Sequence, residues 1–140
     1  YCNVVFQPCS DHSQTDRRRK AENFVVRLCY GKRKRDSASE VFRANGWLRH
    51  DQRADKQLLS TMHHCVHGIV PGYLSRLIEF SLSDARGNGL IPLRPPRITS
   101  ESGRKRFAYL GATAWNGLPE DIKQLQHGAF CNAVARYLTG

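Results

Sequence analysis

The stretch that decides the fold reads DQRADKQLLSTMHHCVH and spans residues 51–67. Its apolar side chains recur every three or four residues, which places them on one face of a helix. They are Ala54, Leu58, Leu59, Met62, Cys65 and Val66. Asp51 is suited to cap this helix at its start, and Gly68 is suited to end it. We therefore predict an amphipathic helix over residues 52–67 with one face in a core.

The residues before this stretch predict two further helices. The first begins at Thr15 or Asp16 and runs to about Tyr30. The second opens at Ser37, which has the spacing of a capping box with Glu40. The apolar face of the first helix consists of Ala21, Phe24, Val25 and Leu28. The second helix is expected to run through Val41 and Phe42 to about Asn45, with Gly46 as its end.

After Ser81 the amino-acid composition of the sequence changes. Glycines and prolines become frequent up to Gly103 and exclude a long helix, so a loop or short extended segments near 90–93 are expected. Residues 106–110 can pair with them as a second strand. The predicted fold class is mainly α: a small helical domain with a short β-hairpin or extended element near 90–110.

Large aromatic residues are the expected structural anchors of the domain. Each can bury a large apolar area, and an indole is well placed in a core when its N–H finds a partner. Short helices are expected after Pro71 and Pro119, because proline is accepted in a first turn. The anchors are Trp47 (as a buried pair with Leu48), Phe107, Trp115 and Phe130.

Positive charge is concentrated in two segments. The chain carries a formal charge of +10, and residues 15–36 hold nine Lys/Arg against three acidic residues. Residues 94–106 hold five against one, and the remainder is neutral. Clustered cations attract a polyanion and gain free energy from counterion release. A solvated face that only maintains solubility is the alternative.

The candidate nucleic-acid contacts follow from these two segments. The first patch is Arg17, Arg19, Lys20, Lys32, Arg33, Lys34 and Arg35, and the second is Arg104, Lys105 and Arg106. Aromatic residues beside cations are typical of single-strand binding, but Phe24 lies on the predicted apolar face and is expected in the core. Residues 32–35 can also serve as a nuclear import address.

No catalytic signature is present in the sequence. His63 and His67 are one helical turn apart, but no second ligand pair stands at a matching spacing, so we predict no metal site. There is no nucleophile elbow, no acidic pair between strands and no glycine-rich phosphate loop.

Five cysteines at irregular spacings indicate reduced thiols, and no signal peptide or membrane span is found. A cytoplasmic or nuclear location is expected.

In chain order, these residues resemble the region downstream of the polymerase in non-long-terminal-repeat (non-LTR) retrotransposon reverse transcriptases of the jockey-like or LINE type. The most specific match is to a family signature of the form Gly, Arg-x-Phe, Ala-x-x-Trp-Asn-x-Leu-Pro, and it consists of Gly103, Arg106, Phe107, Ala112, Trp115, Asn116, Leu118 and Pro119. Shorter matches are Tyr1 to Phe6, Glu22-Asn23 with Arg27-Leu28, Trp47-Leu48 with Arg53, Gly68 with Pro71, Tyr73 and Leu74, and Phe130 with Tyr137-Leu138. This chain departs from the family pattern at three positions: the family has tryptophan, leucine and proline where this chain has Phe6, Arg18 and Arg49.

The resemblance implies a piece of a longer protein, with the end of a thumb-like segment and a loop at residues 1–14 and a helical tail at 15–140. The parent would be an RNA-directed DNA polymerase that uses magnesium and carries an endonuclease. This chain lacks the paired aspartates of that polymerase, so no activity and no cofactor of its own are expected. Expected partners are RNA or DNA and the rest of the parent polypeptide, without a membrane. A scaffold that packs on the polymerase, and a degenerate element copy, remain alternatives.

Overall fold

The computed structural model describes residues 12–81 and 92–140, and within these ranges it contains eight helices and one antiparallel hairpin of two strands. The prediction of a mainly helical domain with a short hairpin is confirmed. The helices are α1 (His12–Cys29), α2 (Ala38–Ala44), α3 (His50–Val66), α4 (Gly72–Ser75), α5 (Glu101–Arg104), α6 (Phe107–Asn116), α7 (Glu120–Lys123) and α8 (His127–Thr139). The strands are β1 (Glu79–Phe80) and β2 (Leu93–Arg94).

Helix α3 is the centre of the main core, and it packs against α6 and α8. Its predicted apolar face is buried, apart from Val66, which is partly exposed. Met62 and Phe130 are completely buried, and Trp115 is 1% exposed. Phe107 is partly buried against the same cluster. The helix forms as predicted because its apolar period and its packing partners agree.

The hairpin pairs β1 with β2, with Phe80 opposite Leu93. Asn116, at the end of α6, accepts a hydrogen bond from the Leu93 N–H at 3.0 Å and donates one to the Leu93 carbonyl at 2.7 Å. The predicted strand at 106–110 is wrong, because Phe107 to Leu110 form the first turn of α6. Its apolar residues pack on α3 through that helix.

A second, smaller core joins α1 to α2. It consists of Val26, Ala38, Val41 and Phe42. The predicted apolar face of α1 is wrong, since Phe24, Val25 and Leu28 are 65%, 53% and 71% exposed. The face that docks is the one that carries Val26. The predicted burial of Trp47 is also wrong, because its side chain is 46% exposed.

Helix starts differ from the predicted caps. Helix α1 begins at His12, so residues 12–14 are helical rather than a loop. Ser37 is the N-cap of α2 but its side chain makes no capping hydrogen bond. Helix α3 begins one residue before Asp51, with Arg49 as its N-cap. The Arg49 N–H donates to the Gln52 side-chain oxygen at 2.8 Å. Residues 1–11 of the thumb-like segment and loop predicted at 1–14 lie outside the described residues, as do residues 82–91 of the predicted glycine-rich loop.

Candidate nucleic-acid interface

One flank of α1 forms a basic groove with the loop that follows the helix. The cavity has a volume of about 600 Å³. Among the described residues, four of its lining side chains are cationic and none is a carboxylate. The groove is lined by Lys20, Asn23, Phe24, Arg27, Leu28, Lys32 and Lys34. We refer to this surface as the basic groove.

Gly31 returns the chain toward α1 and so places the loop lysines in the groove. Its φ is +59°, a left-handed conformation that glycine adopts without strain. The Lys32 N–H donates to the Arg27 carbonyl at 2.8 Å, and the Gly31 N–H donates to the Leu28 carbonyl at 3.3 Å. This pair of bonds is a Schellman motif. Lys32 therefore leaves the helix end beside the turn that carries Arg27 and Leu28.

Asp36 holds the loop in place. Its carbonyl accepts a hydrogen bond from the Arg27 Nε at 2.8 Å, and its carboxylate accepts one from the Arg33 N–H at 2.7 Å. The bond from Nε fixes the guanidinium of Arg27, so its two terminal nitrogens are presented from a defined position. The loop thus has local hydrogen bonds that order it.

The structure places the predicted cations of the first patch unequally. Residues 32–35 are all exposed and have no ion pair with any described residue, and Arg17 and Lys20 are also exposed. Arg19 lies 3.5 Å from Asp51 and is partly neutralised by that carboxylate. Lys20, Lys32 and Lys34 come together in the basic groove with Arg27, which belongs to the same basic segment but is not among the predicted contacts.

The second predicted patch lies on the connection between α5 and α6. Arg104 ends α5, Lys105 is its C-cap, and Arg106 is the N-cap of α6. All three side chains are exposed. None of them lines the basic groove, so the two predicted patches do not form one cavity.

The aromatic content of the basic groove was misassigned from sequence. Phe24 was predicted in the core, but it is exposed and lines the basic groove beside the cations. Arg18 is the signal in the sequence, because it interrupts the predicted apolar face of the helix. The buried face is the neighbouring one, which carries Val26. An apolar period with a cation inside it is weak evidence of burial.

The opposite flank of α1 forms an apolar groove with a volume of about 580 Å³. Its apolar lining includes Val25, Val26, Phe42, Trp47 and Leu48. Trp47 packs edge-on against Phe42, with ring centroids 6.4 Å apart. Val25 and Trp47 are exposed in this groove, which Arg18, Glu22, His50 and Arg53 also line. Exposed apolar side chains of this size are common at protein contacts.

Histidine rings cluster where the end of α3 meets the start of α8. The His63 Nε2 donates to the Leu125 carbonyl at 2.9 Å, and its ring centroid lies 4.2 Å from that of His67. The rings of His64 and His127 are 3.9 Å apart. Burial, aided by the neighbouring histidines, lowers the pKa of His63, and burial and His64 lower the pKa of His127. Burial therefore favours the neutral form of the His63 and His127 rings.

Cys65 lies on the buried face of α3. Burial raises the pKa of the Cys65 thiol, which disfavours the reactive thiolate. No group of three or more His, Cys, Asp or Glu side chains in residues 12–81 and 92–140 is arranged to hold a metal ion. None of the described helices is both long and apolar enough to cross a membrane. Comparison with protein-family models, with curated proteins and with solved structures finds no match to this chain.

Proposed function

We propose that this chain is a non-catalytic accessory region of a non-LTR retrotransposon reverse transcriptase, and that it binds nucleic acid at the basic groove. The sequence resemblance supports the retrotransposon context. One observation supports the binding: four cations converge on a concave surface that, in the described part of the chain, has no carboxylate to neutralise them. Template RNA and target DNA are the proposed partners, together with the rest of the polymerase.

The groove would act through phosphate contacts. The lysine ammonium groups are mobile point charges that follow a phosphate backbone, whereas the guanidinium of Arg27 offers fixed donors. Each neutralised phosphate releases condensed counterions, so affinity depends steeply on salt. Such contacts position a strand without reading its sequence. The chain would thus help the polymerase retain its template or target.

A charge-reversal experiment tests this proposal. We expect Lys32→Glu with Lys34→Glu to lower affinity for RNA by more than about tenfold, because two phosphate contacts are lost and two repulsions replace them. The matched control is Arg43→Glu with Arg136→Glu, since both side chains are exposed, lie outside the groove and produce the same change in net charge. Fluorescence anisotropy with labelled RNA and DNA measures the affinities. Equal losses in both variants would show only a general charge effect and would contradict a site at the groove.

The apolar groove favours a second candidate function, that of a scaffold. There the chain would pack against the polymerase through Trp47 and its neighbours, and its charge would serve solubility alone. This alternative predicts no nucleic-acid binding at low salt by a chain whose circular dichroism shows it to be folded. It also predicts that charge reversal at Lys32 and Lys34 leaves the activity of the parent polymerase unchanged.

A further inference from the structure

We propose that the basic groove accepts single-stranded rather than double-stranded nucleic acid, with one unstacked base lying on the ring of Phe24. The inference rests on the proposed function and deepens it, since it specifies the substrate class of the same groove. It comes from the position of one aromatic side chain among the cations.

Phe24 is a large aromatic residue of α1 whose side chain is exposed rather than buried in a core. Its side chain is 65% exposed, and it lines the same concave surface as Lys20, Arg27, Lys32 and Lys34. Base–aromatic stacking does not depend on sequence, because every base has a π-face. In a duplex these faces are covered by neighbouring base pairs. Phe24 can therefore contribute a stacking platform only to a strand whose bases are free.

The helix places the cations around this ring. Lys20 lies one turn before Phe24 and Arg27 lies three residues after it, and side chains at these spacings are neighbours, with about 5–6 Å between Cβ atoms. Leu28 lies one turn after Phe24 and is 71% exposed, so it extends the apolar floor. A base on this floor would have its flanking phosphates within reach of the surrounding cations.

The size of the groove agrees with a single strand. Its volume of about 600 Å³ lies in the range of cavities that hold one small organic group. A base with its sugar is a group of this kind, whereas a duplex presents a broad convex surface that a cavity of this volume cannot enclose. An acidic peptide with an aromatic side chain is the competing occupant. The chain has two basic segments, residues 15–36 and 94–106. A long polyanion can contact both of them, so this charge distribution favours a nucleic acid over a short acidic peptide.

Substitution of Phe24 in the full chain tests the inference. We expect Phe24→Leu to lower affinity for single-stranded RNA of about 12 nucleotides by about 5- to 100-fold, the effect of removing one stacking platform. Affinity for duplex RNA should remain unchanged. Phe24→Tyr retains the ring and should bind like the original chain. Val25→Ala is the matched control, because Val25 is also exposed but lines the opposite, apolar groove.

The outcomes separate this inference from the proposed function. If Lys32→Glu with Lys34→Glu weakens binding but Phe24→Leu does not, the groove binds phosphates without stacking and the inference is overturned. Equal losses for single strand and duplex overturn it as well. If an acidic aromatic peptide binds as tightly as RNA, with the same dependence on Phe24, the occupant has been misassigned. Absence of RNA binding by the original chain instead refutes the proposed function itself.

Discussion

Arg49 joins the α1–α2 unit to the main core, and its removal is expected to loosen that joint. One guanidinium nitrogen donates to the Asn23 side chain of α1 at 3.1 Å, and the other donates to the Ser39 hydroxyl of α2 at 2.8 Å. The guanidinium also lies 4.6 Å from the centre of the Phe42 ring. Since Arg49 is the N-cap of α3, this one residue links α3 to α1 and α2.

These contacts give the magnitude of the expected loss. A hydrogen bond to a charged group contributes about 1.5–3 kcal/mol when it is shielded from water. The bond to Asn23 is part-buried and the bond to Ser39 is exposed, so we take about 1 kcal/mol for each. The cation–π contact adds about 0.5 kcal/mol. Arg49→Ala should therefore lower the free energy of unfolding by about 2.5 kcal/mol. In a chain of this length, that corresponds to a fall in Tm of about 5–10 °C.

Urea and thermal unfolding followed by circular dichroism measure this loss. Arg49→Lys should recover little of it, because a lysine ammonium cannot bridge Asn23 and Ser39 while lying over Phe42. Arg43→Ala is the control, as its exposed side chain has no hydrogen bond or ion pair with the described residues. If the Arg49 and Arg43 variants unfold within about 0.5 kcal/mol of each other, the range of ordinary surface changes, the assigned role of Arg49 is wrong.

Further outcomes are expected for changes at four residues. A Cβ added at Gly111 would lie 2.3 Å from the sulfur of the fully buried Met62, so Gly111→Ala should destabilise the chain by about 1–3 kcal/mol in urea unfolding. Gly128→Ala, where nothing lies within 4 Å, should instead stabilise it by about 0.5 kcal/mol. Because burial lowers the pKa of His63 below its usual 6.5, the unfolded chain binds more protons, and stability should fall as the pH drops from about 7 to about 5. His63→Gln retains a donor without titrating, so it should weaken this pH dependence; an unchanged dependence would point to other groups. Asn116→Ala removes both bonds to the hairpin and should speed amide hydrogen exchange there, and full protection in this variant would show that the bonds are dispensable.

The sequence predicted the elements whose local pattern agrees with their packing. The apolar period of residues 52–67 predicts helix α3, and the same apolar face packs against α6 and α8. The strand predicted at 106–110 failed because a short apolar run does not distinguish strand from helix. The true partner of β2 precedes it across residues 82–91, and such a pairing is set by non-local contacts.

The basic groove was predictable only in part. Lys20, Lys32 and Lys34 were selected from charge, since clustered cations are visible in a sequence. Phe24 was assigned to the core because sequence periodicity shows which residues share a face but does not show whether a partner covers that face. The links of Arg49 to two other helices could not be foreseen, because hydrogen bonds between distant side chains leave no local pattern.

The salt dependence of RNA binding tests nucleic-acid binding at the groove most directly. Anisotropy titrations of the purified chain with single-stranded RNA across a salt series give the slope of log affinity against log salt. Four groove cations that each neutralise one phosphate predict a slope of about −3, because single strands contribute about −0.7 per contact. The slope should become shallower in the chain carrying Lys32→Glu and Lys34→Glu. A folded chain that shows no binding at low salt, or a slope near zero, would contradict the proposal.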